Sequence, residues 1–156
     1  MKANIGISDG NSKAVALLLN KLLANEFVLY TKTRNYHWNI ECPSFMEMHK
    51  LYESQYNELA EIIDEVAERV RKIGHYAEAR LKDFVELADL DEEEYTDDQV
   101  KQINNLLDDH ETIIRNVRGH IKMTDEKYKD IGTSDFLTGL LRQHETMAWM
   151  LRSYLK

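Results

Sequence analysis

Apolar residues recur along this chain at gaps of three and four positions, which is the spacing of one face of an α-helix. Four long segments with this pattern are predicted to be helices, at residues 11–38, 44–73, 96–124 and 135–156. A shorter helix is predicted at 81–88. Two capping boxes, Ser44 with Glu47 and Thr96 with Gln99, mark helix starts, and Gly74 marks a helix end. The chain is therefore predicted to be all-α.

The lengths of the connections favour one arrangement of these helices. The first and third connections are short and the middle one is long, as in a four-helix bundle with a crossover. The 156 residues fit a single domain, predicted at 1–156 with 1–10 as a short N-terminal tail. No apolar run is expected to reach the ~18 residues of a membrane span. A single cysteine allows no internal disulfide, which is typical of a cytoplasmic protein.

Two parallel stripes of residues run along the second predicted helix. The apolar stripe, expected to face the core, consists of Phe45, Met48, Tyr52, Tyr56, Leu59, Ile63, Val66, Val70 and Ile73. The stripe beside it consists of His49, Glu53, Asn57, Ala60, Asp64 and Glu68. One interpretation of this second stripe is a solvated polar flank. The other is a metal site, because side chains at i,i+4 spacing can reach one ion and imidazole with carboxylates suits iron(II).

One helix cannot wrap the whole second stripe around a single ion. His49 and Asp64 are fifteen residues apart, about 22 Å at 1.5 Å per residue, whereas metal–ligand bonds are about 2 Å. Two antiparallel copies related by a two-fold axis near residues 58 and 59 would bring His49 and Glu53 of one chain opposite Glu68 and Asp64 of the other. His37 can fold back beside His49 as a further ligand. The pattern predicts two equivalent metal sites between subunits.

These residues carry a resemblance to a known family. The segment "HWNI" beginning at His37, the twelve-residue step to His49, and the segments "HKLYE", "DEVAER" and "AWML" are similar to the Dps family of small ferritin-like proteins of bacteria. The resemblance implies a ferritin-like four-helix bundle with a short extra helix in the long middle connection. It also implies a dodecameric shell of two-fold dimers that oxidises Fe2+, preferably with hydrogen peroxide, and stores ferric mineral, which protects against oxidative damage.

The family's ferroxidase centre, with one or two iron ions, maps onto His37, His49 and Glu53 of one subunit and Asp64 and Glu68 of its partner. Many members carry Asp where Glu53 stands. Trp38 follows the first ligand, so it is a candidate to intercept stray oxidising equivalents, with buried packing as the alternative. Acidic residues of the turn before the last helix, Asp125, Glu126 and Asp130, resemble the family's iron-uptake pore. The alternative for them is a solvated turn with interleaved lysines.

The overall charge bears on a second function, physical coverage of DNA with little iron turnover. The net charge is −8, and the terminal segments offer only Lys2, Lys13 and Lys156, so DNA binding is doubtful. A third interpretation is a purely structural helical oligomer whose stripe binds nothing. The remaining histidines, His75, His110, His120 and His144, form no convergent group by spacing, and surface or packing roles are expected for them. No histidine follows a glutamate by three residues, which disfavours a di-iron site inside one subunit.

Overall fold

The computed structural model describes residues 3–155, and within that range it contains helices and no strand. In chain order the elements are α1 (Asp9–Asn39), α2 (Phe45–Lys72), α3 (Leu81–Leu87), α4 (Gln99–Lys122), a π-helical turn (Met123–Lys127) and α5 (Ile131–Ser153). The four long helices form the bundle, and α3 lies against α1 within the long crossover between α2 and α4. Met1, Lys2 and Lys156, on which part of the tail and DNA predictions fell, lie outside the described residues.

Helix α1 contains an 18-residue window that is long and apolar enough to span a membrane by length and composition alone. The prediction that no such segment exists was therefore wrong. Most of that window, 61%, is buried inside the bundle, which accounts for its apolar character. The helix also buries charged and polar side chains, among them Glu26 and Lys32. Its composition is that of a core helix with polar contacts to its neighbours.

The helix ends differ from the sequence prediction mainly in their caps. Both predicted capping boxes are wrong: Ser44 makes no capping bond and donates instead to Gln99 Oε1 at 2.9 Å. The cap of α4 is Asp98, whose side chain accepts from the Lys101 amide at 2.7 Å, two residues later than predicted. The predicted stop at Gly74 is confirmed, since its φ of +94° is one that glycine adopts without strain. Helix α5 begins at Ile131, four residues before the predicted start.

The buried face of α2 largely follows the predicted apolar stripe. Met48, Tyr52, Leu59, Val66 and Val70 are fully buried, as predicted. Two positions were wrong, because Ile62 is buried where Ile63 was expected and Phe45 is exposed at the start of the helix. The second stripe lies beside this buried face, so α2 packs one side into the bundle and presents the other at the surface.

The long crossover is attached to the bundle through a buried lysine. Lys32 donates to the carbonyl of Asp91 at 2.7 Å, to Glu93 at 2.9 Å and to Asp109 of α4 at 2.6 Å. Burial raises the pKa of the Asp109 carboxyl to about 6, although its bond to Lys32 acts in the opposite direction. For Lys32, the two carboxylates outweigh burial, and its pKa is raised. This node joins α1, the crossover and α4.

Candidate metal centre

Two imidazoles meet where the turn between α1 and α2 brings the end of one helix beside the start of the next. The rings of His37 and His49 are nearly parallel, at an interplanar angle of 18°, with centroids 3.7 Å apart. The predicted fold-back of His37 onto His49 is therefore confirmed. His37 is buried and His49 is partly exposed, so the pair sits at the edge of the bundle rather than inside it.

Each of these rings is held by the main chain of the other residue. Nδ1 of His37 donates to the carbonyl oxygen of His49 at 2.8 Å, and Nδ1 of His49 donates to the carbonyl oxygen of His37 at 2.9 Å. A carbonyl oxygen only accepts, so both protons of the neutral rings reside on Nδ1. Each Nε2 is left with a free lone pair. This is how proteins commonly orient a histidine that ligates a metal.

Aromatic side chains restrain the same two rings. Phe45 stacks on His49 with centroids 5.0 Å apart, and Tyr56 meets His37 edge-on at 5.1 Å. The contacts limit rotation of both imidazoles about their side-chain bonds, so the two Nε2 atoms are preorganised. The sequence prediction placed Phe45 in the core. Its stacking on His49 accounts for the exposed position that it has instead.

Trp38 lies at the surface beside this pair. It is 65% exposed, so within the protomer the alternative of a buried packing residue was wrong. The Arg34 guanidinium lies 5.1 Å from the Trp38 ring and 4.4 Å from the Tyr56 ring, and Arg34 also donates to the Tyr30 hydroxyl at 3.0 Å. Trp38 is therefore connected to the histidine pair through Arg34 and Tyr56.

The carboxylates of the second stripe point away from the bundle. Glu53, Asp64 and Glu68 are all exposed, and Glu68 forms an ion pair with Lys72 at 2.9 Å. Among residues 3–155, no three His, Cys, Asp or Glu side chains of one chain are grouped so that they could hold a metal ion. One protomer therefore presents two oriented imidazoles near one end of α2 and two carboxylates near the other.

The three acidic residues predicted at a pore have different environments. Asp125 and Glu126 are exposed on the π-helical turn, as either interpretation requires. Asp130 is 2% exposed: it caps α5 by accepting from the Thr133 amide at 2.9 Å and pairs with Arg69 of α2 at 3.0 Å. Its carboxylate is engaged inside the protomer, and its assignment to the surface of a pore does not fit that position.

A second group of ionisable residues, the core Glu–His–His cluster of Glu26, His144 and His110, was missed by the sequence prediction. His144 Nε2 contacts Glu26 Oε1 at 3.0 Å, and His144 Nδ1 contacts His110 Nδ1 at 2.9 Å. All three side chains are fully buried. The expectation of separate surface or packing roles for His110 and His144 did not include this contact, which spacing along the chain does not reveal. The residues lie on α1, α4 and α5, and no local spacing connects them.

A family model and two related proteins indicate the same fold as the structure. The chain matches the model of the ferritin-like domain over residues 16–156. It is 42% identical over 158 residues to an uncharacterised low temperature-induced protein of Nostoc sp., covering 99% of this chain and 87% of that protein. It is 33% identical over 144 residues to DNA protection during starvation protein 2 of Bacillus anthracis, covering 92% and 98%.

A solved structure agrees closely with the arrangement of the helices. The Dps protein of Vibrio cholerae O1, described as a member of a superfamily of ferritin-like diiron-carboxylate proteins, superposes with a TM-score of 0.94 at 32% identity. The superposition covers 99% of this chain and 97% of that one. The short helix in the crossover and the four long helices are thus parts of a shared architecture.

Proposed function

Because the chain belongs to the Dps family of ferritin-like proteins, we propose that it is a ferroxidase that stores iron in a protein shell. The predicted all-α, ferritin-like fold is confirmed. The substrates are Fe2+ and, preferably, hydrogen peroxide, and the product is a ferric mineral held inside a dodecamer built from two-fold dimers. The protein would act in the bacterial cytoplasm and limit oxidative damage.

The observation that carries this proposal is the reciprocal bonding of His37 and His49. With both Nδ1 atoms bonded to carbonyl oxygens, the two Nε2 atoms are the nitrogens available to a metal ion. Imidazole nitrogen together with carboxylate oxygen and open positions is a donor set that suits iron(II). His37 and His49 therefore fit Fe2+ as a substrate. A complete centre also needs carboxylates that this histidine pair does not supply.

A second copy of α2 supplies those carboxylates in the proposed dimer. If two α2 helices pair antiparallel about residues 58 and 59, His37, His49 and Glu53 face Asp64 of the partner subunit and Glu68 of the partner subunit. The exposed Asn57 and Ala60 lie at the crossing point, where small side chains allow close approach. Isologous contact creates the same centre twice. The absence of a complete group within residues 3–155 of one chain is consistent with a shared centre.

The chemistry needs two electrons for each peroxide. Two Fe2+ ions give one electron each, and with two protons the peroxide becomes two water molecules, so no hydroxyl radical is released. The imidazoles orient the ions, and the carboxylates favour the ferric product because they offset its additional positive charge. Asp125 and Glu126, exposed on the π-helical turn, are proposed to attract Fe2+ toward the shell.

Protection by coverage of DNA is the weaker candidate function. The name of the Bacillus anthracis relative refers to DNA protection. In this chain the net charge of −8 opposes contact with phosphates, and the strength of nonspecific DNA binding depends on cationic side chains. We therefore propose that protection comes from consumption of iron and peroxide rather than from DNA binding.

Complementation between two inactive variants tests the shared centre. His37→Ala/His49→Ala removes the imidazole half, and Asp64→Ala/Glu68→Ala removes the carboxylate half. Each variant alone should lose the fast phase of Fe2+ oxidation, followed by ferric absorbance after peroxide is added. When the two are assembled together, every mixed dimer regains one intact centre of its two, so random pairing should restore about a quarter of the wild-type amplitude.

The control variants are His75→Ala and Glu65→Ala, which remove a histidine outside the pair and an exposed α2 carboxylate outside the stripe. Both should oxidise iron like the wild type. Native mass should be near twelve times the 18.3 kDa of one chain in every sample. Inactivity of the mixed assembly at that mass would show that each centre belongs to one chain and would refute the proposal.

A further inference from the structure

The core Glu–His–His cluster joins three helices at the middle of the bundle. Glu26 comes from α1, His110 from α4 and His144 from α5, and none of the three side chains is exposed. Two atoms of the cluster, Glu26 Oε2 and His110 Nε2, are buried without a hydrogen-bond partner among the described residues. Burial of this kind is costly, so three ionisable groups buried together in the core need a physical explanation.

The contact between the two imidazoles has the geometry of a shared proton. The facing Nδ1 atoms are 2.9 Å apart and the ring centroids 5.1 Å apart, so each nitrogen lies on the side of its ring toward the other ring. That separation is normal for an N–H donor and a nitrogen acceptor. Among residues 3–155, no three His, Cys, Asp or Glu side chains are grouped so that they could hold a metal ion, and that includes this cluster. The ligand that fits between them is therefore a proton.

The contacts limit how many protons the folded cluster can hold. One proton lies between Glu26 and His144, one between His144 and His110, and a third can bind the outer nitrogen of His110. With three protons the cluster is neutral, since one imidazolium charge balances the Glu26 carboxylate. A fourth proton would leave an unbalanced positive charge in the core, which is strongly unfavourable.

The neighbouring carboxyl of Glu58 does not allow the folded cluster to hold a fourth proton. On α2, the carboxyl of Glu58 interacts with His144. The pKa of Glu58 is raised mainly by burial; the charge of His144 acts to lower it and that of Glu61 to raise it. Its carboxyl thus gains a proton more readily than usual as the pH falls, and its compensation of His144 declines. The pKa of His110 is lowered well below its ordinary value, first by burial and then by the charge of His144.

We propose that the core Glu–His–His cluster is an acid-sensitive switch that holds α1, α4 and α5 together at neutral pH and weakens their packing in acid. In the unfolded chain both imidazoles become cationic below a pH of about 6.5 while the glutamate stays ionised, which places four protons on the three residues. The folded cluster holds at most three. The unfolded state therefore binds at least one more proton.

The sign of the effect follows from this difference. Stability is fully present above the histidine pKa of the unfolded chain and is lost as the pH falls below it. From about one pH unit below 6.5, where both imidazoles of the unfolded chain are almost fully cationic, each further pH unit should raise the unfolding equilibrium constant about tenfold through this cluster. The switch depends on core residues alone, so it operates whether or not the surface histidines bind iron.

The test compares the pH dependence of unfolding between the wild type and a variant with an apolar core. The triple variant Glu26→Leu/His110→Leu/His144→Leu replaces the cluster by apolar side chains of similar volume. Proteins often tolerate this kind of replacement of buried ionic groups. Urea unfolding of the native assembly is followed by far-UV circular dichroism from pH 5 to 8. The wild type should lose stability in acid more steeply than the variant, with a difference of about tenfold in the unfolding constant per pH unit near pH 5.

His75→Gln is the matched control, because His75 faces the Ser12 hydroxyl at 3.1 Å and no second imidazole. It should keep the wild-type pH dependence. If the triple variant does not fold, His110→Leu alone removes the shared proton and should flatten the same slope. An unchanged slope in either folded variant would refute the switch. So would a bound metal ion that the triple variant loses and His37→Ala/His49→Ala retains.

Discussion

Two histidine pairs in this protein have opposite arrangements of their ring nitrogens. At the surface, His37 and His49 bond main-chain carbonyls through Nδ1 and leave both Nε2 atoms free. In the core, His110 and His144 turn their Nδ1 atoms toward each other, and His144 uses its other nitrogen on Glu26. The surface pair has lone pairs to offer to a metal ion, whereas the core pair uses its lone pairs to share a proton. The function of a histidine pair thus depends on what its bonded nitrogens contact.

Two alanine substitutions should separate the roles of these pairs with the largest effects. His49→Ala removes a proposed iron ligand, so it should slow the fast phase of iron oxidation by at least about 100-fold, more than loss of an outer-shell contact, with stability nearly unchanged. His144→Ala leaves Glu26 buried without a partner and should lower the free energy of unfolding by about 3–5 kcal/mol at neutral pH. Stopped-flow absorbance and urea unfolding measure the two quantities.

The assignment of different roles to the two pairs would be refuted if His144→Ala slowed oxidation and His49→Ala lowered stability. A folded His144→Ala protein that oxidises iron as slowly as His49→Ala would make the core histidine part of the oxidation centre. Conversely, a loss of several kcal/mol in His49→Ala would make the surface pair primarily structural.

A smaller effect is expected from the ring that stacks on the surface pair. Phe45→Ala removes the contact with His49 and allows that imidazole to rotate, so affinity for Co2+, a spectroscopic substitute for Fe2+, should fall about tenfold. Visible absorbance during Co2+ titration of the assembled protein measures it. Met46→Ala is the control, since Met46 is a neighbouring exposed residue without an aromatic ring. Equal losses in both variants would point to disruption of the turn rather than of the stack.

The smallest change in rate is expected at Trp38. Trp38→Phe should leave the speed of iron oxidation unchanged and increase the yield of hydroxyl radical caught by a spin trap, because an oxidisable ring beside the centre has been removed. Trp149 is similarly exposed, at 61%, and lies on α5, so Trp149→Phe is the control. Equal radical yields in both variants would assign Trp38 a role unrelated to the oxidation.

Features that depend on residues close together in the chain were predictable from the sequence, whereas features that depend on distant residues were not. Helices, the crossover and the stripe on α2 depend on spacings of three and four residues, and His37 and His49 are joined by one short turn. Caps were harder, since several cap-type residues compete within a few positions: Asp98 caps α4 while the carbonyl of Thr96 accepts from Gln102 at 2.7 Å. These choices depend on neighbours that the linear pattern does not contain.

The core Glu–His–His cluster could not be predicted from the sequence for the same reason. Glu26 and His144 are separated by 118 positions in the chain, and His110 and His144 by 34. Nothing in the local pattern distinguishes these histidines from His75 or His120. A search for one ionisable residue on the buried face of each helix would have been the useful signal, because such residues must find partners across the bundle.

Helix α2 is fastened near both of its ends. Close to its start the carbonyl of His49 accepts from His37, and close to its end Arg69 donates to Thr133 at 2.9 Å and to Asp130 at 3.0 Å. Gly132 leaves the space for that guanidinium, since a Cβ there would lie 2.9 Å from it. The helix cannot roll about its axis without breaking both attachments. In the proposed dimer, two subunits would therefore meet through surfaces that are already ordered, with little entropy lost on association.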